Sequence, residues 1–180
     1  MEIATYKAIK QKVLDAGYAG EIQWCADLKP CTKASVFLCE YIWVVLNSGM
    51  KNQVAVKINE KVLAALRAGE PVKSVFRHPG KAAAIGRASR EYKSWFRDYR
   101  ASYDKLAYLQ SLPWIGPITK YHLAKNLGIN CVKPDRHLMR IARESYTTPD
   151  ALCARLAEQS GDRACVVDGV LWRAANLRMI

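Results

Sequence analysis

The sequence predicts an all-α fold, and three observations support this fold class. The chain of 180 residues has only 10 Gly and 7 Pro, whereas Ala, Leu, Lys and Arg, which favour helices, are abundant. Apolar residues recur every three or four positions along successive segments, which is the spacing of one helical face. No segment of useful length alternates apolar and polar residues, so a doubly wound α/β enzyme is excluded.

The middle of the chain contains three segments with helical periodicity. The segment from Thr32 to Leu46 is apolar on most of its faces, so we expect this helix at the centre of the fold. The next helix ends near Gly69-Glu70-Pro71, and its apolar stripe is formed by Val54, Ile58, Val62 and Leu66. After a break at His78-Pro79-Gly80, a third stripe is formed by Ala84, Ile85, Ala88, Tyr92, Trp95 and Phe96.

A helical hairpin and a loop are predicted next. A helix around Lys105 to Ser111 runs into 113–117, which must be a turn because two prolines and a glycine lie within five residues. Thr119 is predicted to cap a helix that continues through Leu127. The segment 128–134 is then a connecting loop.

The last part of the chain predicts three further helices. Asp135 lies where an N-cap residue belongs, ahead of the apolar residues Leu138, Ile141 and Ala142. The last two helices are expected from about Pro149 to Gln159 and from Val166 to Ala175. We expect residues 1–180 to form a single domain, in one piece or as two small helical lobes around a shared cleft, with the hairpin at 105–127 and a loop and helix at 128–145.

The charge of the chain points to a polyanionic partner. Lys and Arg number 28 against 16 Asp and Glu, which gives a net charge of +12, and the isoelectric point is near 9.5. Such an excess is typical of proteins that bind nucleic acid or an anionic membrane surface, and composition alone does not choose between them.

Sequence features also predict the compartment and the absence of a metal. No apolar run approaches the roughly 18 residues of a membrane span, and the N-terminus lacks the apolar stretch of a signal peptide. We therefore expect a cytoplasmic, monomeric protein whose six cysteines are reduced and mostly buried. No cysteine spacing is C-x-x-C, and Cys153 and Cys165 are the only pair near the C-terminus, so neither a zinc ribbon nor an iron–sulfur cluster is expected.

The turn of the hairpin is a candidate phosphate site. Its residues cannot all be helical, so several backbone N–H groups should lack partners and form an anion site with the start of the next helix. Such a site anchors DNA without reading its sequence, and Lys120, Lys125 and Lys133 add attraction. An ordinary hairpin without a ligand is the alternative. The residues expected to contact DNA here are Pro113, Trp114, Ile115, Gly116, Pro117, Ile118, Thr119 and Lys120.

Asp135 is the candidate catalytic residue. An Asp between Pro and a helix is often only a cap, but the helix start also stabilises its ionised carboxylate. Cleavage of an N-glycosidic bond builds positive charge on the sugar, and a carboxylate beneath the sugar stabilises that charge or activates water. Asp135 follows Gly116 by 19 residues, which is room for one helix and a loop and predicts that the carboxylate lies near the phosphate anchor.

The stretch Leu112 to Ile141 resembles the catalytic core of the helix–hairpin–helix DNA glycosylase superfamily, in an outlying branch without an iron–sulfur cluster. Leu112, Pro113, Gly116 and Thr119 match the family hairpin L-P-G-x-G-x-x-T, and Pro134-Asp135-Arg136-His137 matches the segment with the catalytic aspartate. The resemblance implies double-stranded DNA as partner, Arg136 and His137 at the DNA, and base flipping into a pocket between two helical lobes. It implies no cofactor beyond a monovalent cation at the hairpin.

Upstream, 43–50 resembles the buried helix and the DNA-wedging loop of the same family, so that the resemblance covers roughly Val36 to Ala142. The usual intercalating glutamine is absent, and Met50 is either an apolar wedge or a core residue. Candidates for contact with an extruded base are Trp24, Trp43, Asn47, Trp114 and Trp172, although tryptophan on an apolar helix is more often core.

Three hairpin positions depart from the family pattern. Trp114 replaces the first glycine, and Lys120 replaces the small residue after the threonine. Ile118 occupies the position at which bifunctional members carry a nucleophilic lysine, and isoleucine cannot form a Schiff base. We therefore expect a glycosylase without lyase activity.

Two other functions remain open from the sequence. In the first, the protein is an enzyme of this kind, but its substrate is a hypermodified base. Its role is then in phage DNA modification or in antiviral defence and not in genome repair. The other is a DNA-binding module without catalysis, in which Asp135 only caps its helix. The sequence does not identify the excised base, because pocket shape decides recognition.

Overall fold

A computed structural model describes residues 1–180 and contains helices but no strand, which confirms the predicted all-α fold class. No helix is long and apolar enough to cross a membrane. The α-helices are α1 Ile3–Val13, α2 Ala19–Asp27, α3 Ala34–Asn47, α4 Asn52–Arg67, α5 Pro79–Ala101, α6 Lys105–Ser111, α7 Thr119–Asn126, α8 Arg136–Glu144, α9 Pro149–Ser160 and α10 Ala164–Asn176.

The chain divides into two compact units. The middle unit is Cys31–Leu127, and the terminal unit combines Met1–Pro30 with Gly128–Ile180. The middle unit thus contains α3 to α7, and the terminal unit contains the first two and the last three helices.

The middle unit is organised around α3, as its apolar sequence predicts. This helix packs against α4, α5 and α7. Because it is surrounded, it buries residues on most of its faces: Phe37, Tyr41, Ile42, Val44, Val45 and Leu46. Val36, which belongs to the same apolar run, lies on the remaining face and is 43% exposed. The observed helix begins two residues later and ends one residue later than the predicted Thr32–Leu46.

A buried lysine joins α5 to the end of α3. Lys81 is 5% exposed, and its Nζ donates to the carbonyl oxygens of Leu46, at 3.1 Å, and Ser48, at 2.5 Å. These carbonyls lie at the C-terminal end of a helix, where a cation is favoured. Burial lowers the pKa of Lys81. The contact holds the loop that leads to Met50.

The terminal unit is organised around α10, which packs against α1, α2, α8 and α9. Helices α1 and α2 were not predicted from the sequence, although Tyr6, Ile9 and Val13 of α1 have helical spacing and are all buried. Polar residues between them made the stripe inconspicuous. A π-helical segment, Leu14–Tyr18, joins these two helices.

A three-residue polar cluster attaches α1 to the turn between α9 and α10. The Asp162 carboxylate accepts from Lys10 Nζ at 2.7 Å and from the Tyr6 hydroxyl at 2.7 Å. Burial alone raises the pKa of Asp162, but the hydrogen bonds from Lys10 and Tyr6 outweigh it and lower the pKa. The cluster therefore keeps Asp162 ionised and α1 in place.

Candidate functional site

The predicted helical hairpin is present in the middle unit. Helix α6 packs against α7, and a turn of seven residues, 112–118, joins them. Asp104 caps α6 by accepting from the Ala107 amide at 2.9 Å. The buried Tyr41 hydroxyl of α3 donates to the Pro113 carbonyl at 2.6 Å, which attaches the turn to the centre of the unit.

Three backbone N–H groups at the turn have no acceptor within the chain, namely those of Trp114, Ile118 and Thr119. Two others are used internally: the Ile115 amide donates to the Leu112 carbonyl at 3.1 Å, and the Gly116 amide donates to the Thr119 hydroxyl at 2.7 Å. The free groups are the kind of donor that a phosphate oxygen requires.

Two expectations for individual turn residues were wrong. Ile118, not Thr119, occupies the N-cap position of α7, and Thr119 is the first helical residue. Its hydroxyl accepts from the amide of Gly116, three residues earlier, instead of capping the helix. Ile115 is only 5% exposed, and its amide is used internally, so that its side chain belongs to the core and not to a DNA-binding surface.

The backbone at Trp114 has a conformation that usually requires glycine. Its φ is +66°, in the left-handed region that side chains rarely adopt. Trp114 therefore combines a backbone conformation typical of glycine with an indole side chain.

At position 116, in contrast, neither the backbone conformation nor a contact within the chain requires a glycine. A Cβ added to Gly116 would meet no atom closer than the Thr119 hydroxyl, at 3.8 Å, and the residue is not left-handed. A glycine leaves room for close approach of a group from outside the chain. The surface beside the three free amides is therefore open to a ligand.

Positive charge is concentrated in the unit that carries the hairpin. The middle unit has 16 Lys and Arg against 6 Asp and Glu, a net charge of +10, whereas the terminal unit has 12 against 10, a net charge of +2. Lys120 at the hairpin is oriented by a hydrogen bond of 2.7 Å from its Nζ to Gln110 Oε1. Attraction of a polyanion is thus a property of the middle unit.

The hairpin gives the first testable prediction. Changing Gly116 to Val should lower duplex DNA affinity about tenfold for all sequences alike, because the added side chain covers amides that bind only phosphate. The thermal unfolding midpoint should change little, since an added Cβ meets no atom closer than 3.8 Å. Fluorescence anisotropy with labelled duplexes of two unrelated sequences measures the affinity, and melting by circular dichroism measures the stability.

Salt dependence provides the control for this prediction. The logarithm of the wild-type binding constant should fall steeply and linearly with the logarithm of salt concentration. Wild-type affinity that does not change from low to physiological salt, or Gly116→Val affinity equal to wild type, would contradict a phosphate site.

Asp135 lies in the terminal unit and caps α8, as its sequence position predicts. Its Oδ1 accepts from the amides of His137, at 2.9 Å, and Leu138, at 3.2 Å. Its Oδ2 accepts no hydrogen bond within the chain, and the nearest cation is Lys133 Nζ at 3.9 Å. The carboxylate is 13% exposed. One oxygen is thus fixed by the helix start, and the other accepts no hydrogen bond within the chain but is ion-paired with Lys133.

The loop before Asp135 is held by the central helix of the terminal unit. The Asn130 side chain accepts from the Cys165 amide at 3.0 Å, and Arg163 donates to the Gly128 carbonyl at 3.3 Å. Nearest the candidate carboxylate, the Lys133 amide donates to Asp168 Oδ2 at 3.1 Å. These contacts give Asp135 a defined position, since the loop is attached at residues 128, 130 and 133.

Asp168 is a site-positioning residue that sequence analysis missed. It lies on α10 and is only 2% exposed. A signal was present: Asp168 is the only charged residue in the apolar run from Ala164 to Trp172. An ionisable residue in a helix interior is rarely buried without a partner.

The other predicted DNA contacts remain predictions. Arg136, the first residue of α8, is exposed, and His137 beside it is half-buried, with its Nε2 accepting from Arg136 Nε at 3.4 Å. Met50 is half-buried and follows Gly49, whose φ is +69°. Its amide donates to the Asn47 carbonyl at 3.2 Å, which makes the loop after α3 a tight turn.

The candidate base-contacting residues are divided between the units. Trp24, 44% exposed, and the half-buried Trp172 belong to the terminal unit, where the Arg173 guanidinium lies 4.8 Å from the Trp172 ring. Trp43 and Asn47 are half-buried on α3 of the middle unit, together with Trp114. The structure does not gather these five residues in one unit.

Neither of two surface cavities is lined by these tryptophans. The middle unit has a cavity of about 760 Å³ between α3, α4 and α5, with an apolar lining that includes Leu38, Ile42 and Leu63. The terminal unit has one of about 580 Å³ beside Lys10 and Asp162. None of the six cysteines is in a disulfide; Cys25, Cys153 and Cys165 are buried as expected, but Cys31 and Cys131 are half-buried and Cys39 is exposed.

Comparisons with known proteins do not assign the chain to a family. No family model, no curated protein and no solved structure matches it. No group of three or more His, Cys, Asp and Glu side chains is placed to hold a metal ion.

Proposed function

We propose that this protein is a monofunctional DNA glycosylase, which flips a damaged or modified base out of double-stranded DNA and hydrolyses its N-glycosidic bond. The observation that carries the proposal is the carboxylate of Asp135. Two backbone amides hold Oδ1, while Oδ2 has no hydrogen-bond partner and the side chain retains some exposure. A fixed carboxylate with one oxygen that accepts no hydrogen bond suits the stabilisation of a cationic sugar or the activation of water.

The middle unit has features that suit DNA binding, and these support the proposal. It combines a net charge of +10 with a turn that presents three free amides and a glycine that the chain itself does not need. Amides contact phosphate regardless of base, so the hairpin anchors DNA without selecting the base.

The chemistry proposed for Asp135 is hydrolysis and not lyase cleavage. As the bond between base and sugar breaks, the bonding electrons leave with the base, and the sugar carbon becomes positively charged. The carboxylate stabilises this charge, and a water molecule that loses a proton to the carboxylate adds to the sugar carbon. The departed base takes up a proton from solvent, and Asp135 releases its proton to solvent, which restores the carboxylate. The products are a free base and an abasic site in an intact strand.

The proposal predicts that borohydride traps no covalent protein–DNA adduct during the reaction. A lyase needs an amine that forms an imine with the sugar; position 118 is Ile, and Lys120 Nζ donates to Gln110. Denaturing electrophoresis of the borohydride reaction should show free protein and uncut strands. A stable adduct that disappears in Lys120→Ala would make the enzyme bifunctional.

The experiment that tests the function is incubation of the protein with duplexes that carry different modified bases, with unmodified bacterial DNA and with phage DNA, followed by scoring of abasic sites. Release from one class of duplex supports the proposal and names the substrate; release only from phage DNA selects the hypermodified-base role. Tight binding without abasic sites on any DNA would favour the alternative of a DNA-binding module, in which Asp135 only caps α8.

A further inference from the structure

An exposed aromatic side chain stands on the hairpin turn next to the free amides. Trp114 is 45% exposed, and its own amide is one of the three without an acceptor. Its backbone is left-handed, which is unfavourable for a residue other than glycine. An exposed ring and a free amide therefore belong to the same residue of the turn.

The indole is held in place by the start of α5. Its six-membered ring lies against Gly80, where an added Cβ would be only 2.9 Å from Trp114 Cη2. The His78 ring meets it edge-on, with centroids 5.2 Å apart and planes at 81°. His78 is itself fixed, because its Nδ1 accepts from the Lys81 amide at 3.3 Å and its ring stacks on the buried Phe76. The exposed ring is thus preorganised.

We infer that Trp114, supported by His78 and Gly80, is a stacking platform for an unpaired nucleobase of the DNA strand whose phosphates the hairpin amides bind. Aromatic side chains stack on bases of any sequence, and a preorganised ring loses little conformational entropy on binding. The inference rests on the DNA-binding part of the proposed function. It adds that the middle unit also binds DNA strands that contain unpaired bases.

The test compares two single strands that differ only in their bases. One is an oligothymidine, and the other has the same length and charge but consists of abasic sugar residues. Wild-type protein should bind the oligothymidine about tenfold more tightly, the scale of one base–aromatic stack. Fluorescence anisotropy at fixed salt measures both affinities, and no turnover is involved.

Trp114→Gly should abolish this preference. Glycine favours a φ of +66°, so the turn keeps its backbone path and the variant should remain folded. The net charge does not change, so the salt dependence of binding should equal that of wild type. The matched control is Tyr146→Gly, because Tyr146 is 99% exposed with a φ of +52°, and this variant should keep the preference.

Gly80→Ala provides a second variant that leaves the indole in the chain but displaces it, since the new methyl group overlaps the ring. It should reduce the preference as well. Equal wild-type affinity for the two strands, or a full preference in Trp114→Gly, would overturn the inference. Absence of glycosylase activity would leave this result untouched, so the two proposals fail separately.

Discussion

Asp135→Asn should reduce base release by at least about 100-fold on a duplex that the wild-type protein cleaves, which is the scale for removing one group that stabilises charge in a transition state. Asparagine is as good an N-cap as aspartate, so its side-chain oxygen can still accept from the amides of His137 and Leu138. Binding and thermal stability should therefore stay close to wild type, while the negative charge is lost. Single-turnover measurement of abasic sites gives the rate.

The control for this prediction is another aspartate that caps a helix. Asp104 accepts from the Ala107 amide at the start of α6, and Asp104→Asn should keep the wild-type rate of base release. Turnover by Asp135→Asn close to that of wild type would show that the carboxylate only caps α8. A fall of similar size in both variants would assign the effect to helix capping and not to catalysis.

Gly128→Ala should destabilise the terminal unit by about 3 kcal/mol or more, from backbone strain and a steric overlap together. Gly128 has a φ of +88°, and an added Cβ would be 2.6 Å from the backbone nitrogen of Pro30. Because the overlapping atoms belong to the backbone of 29–30, no side-chain rotation relieves the contact. Chemical denaturation followed by circular dichroism gives the free energy of unfolding.

Gly161→Ala separates the two causes of this loss. Gly161 ends α9 with a φ of +78°, but an added Cβ would meet no atom within 4 Å. Only the left-handed backbone is unfavourable there, so the loss should be about 1 kcal/mol. If both alanine variants lose the same free energy of unfolding, the close approach of 29–30 to Gly128 does not contribute to stability.

Local features of the candidate site could be predicted because their causes act within a few residues. The turn between α6 and α7 follows from two prolines and a glycine in five residues, and the cap at Asp135 follows from a short polar side chain after a proline. Even here local chemistry misled in one case: Thr119 looked like a cap, but its hydroxyl accepts from the Gly116 amide inside the turn.

Periodicity predicted most of the fold for a related reason. An apolar stripe at helical spacing must be buried against other helices, so α3, α4, α9 and α10 were predicted close to their observed bounds, and α5 was predicted without its end at Ala101. The stripe of α1, formed by Tyr6, Ile9 and Val13, is narrow and interrupted by polar residues, and this helix was missed. The pattern shows that one face of a helix is buried, but it does not identify the helices that pack against that face.

The sequence by itself determined the helical class, the positive charge, the hairpin and the helix start at Asp135. Only the tertiary structure showed that the chain ends combine into one unit, that Asp168 holds the Lys133 amide, and that Lys81 holds the end of α3. Each of these two hydrogen bonds joins residues 35 positions apart. A propensity or a cap acts over about one helical turn, whereas such partners are brought together only when whole helices pack, because burial selects the arrangement that satisfies every polar group at once.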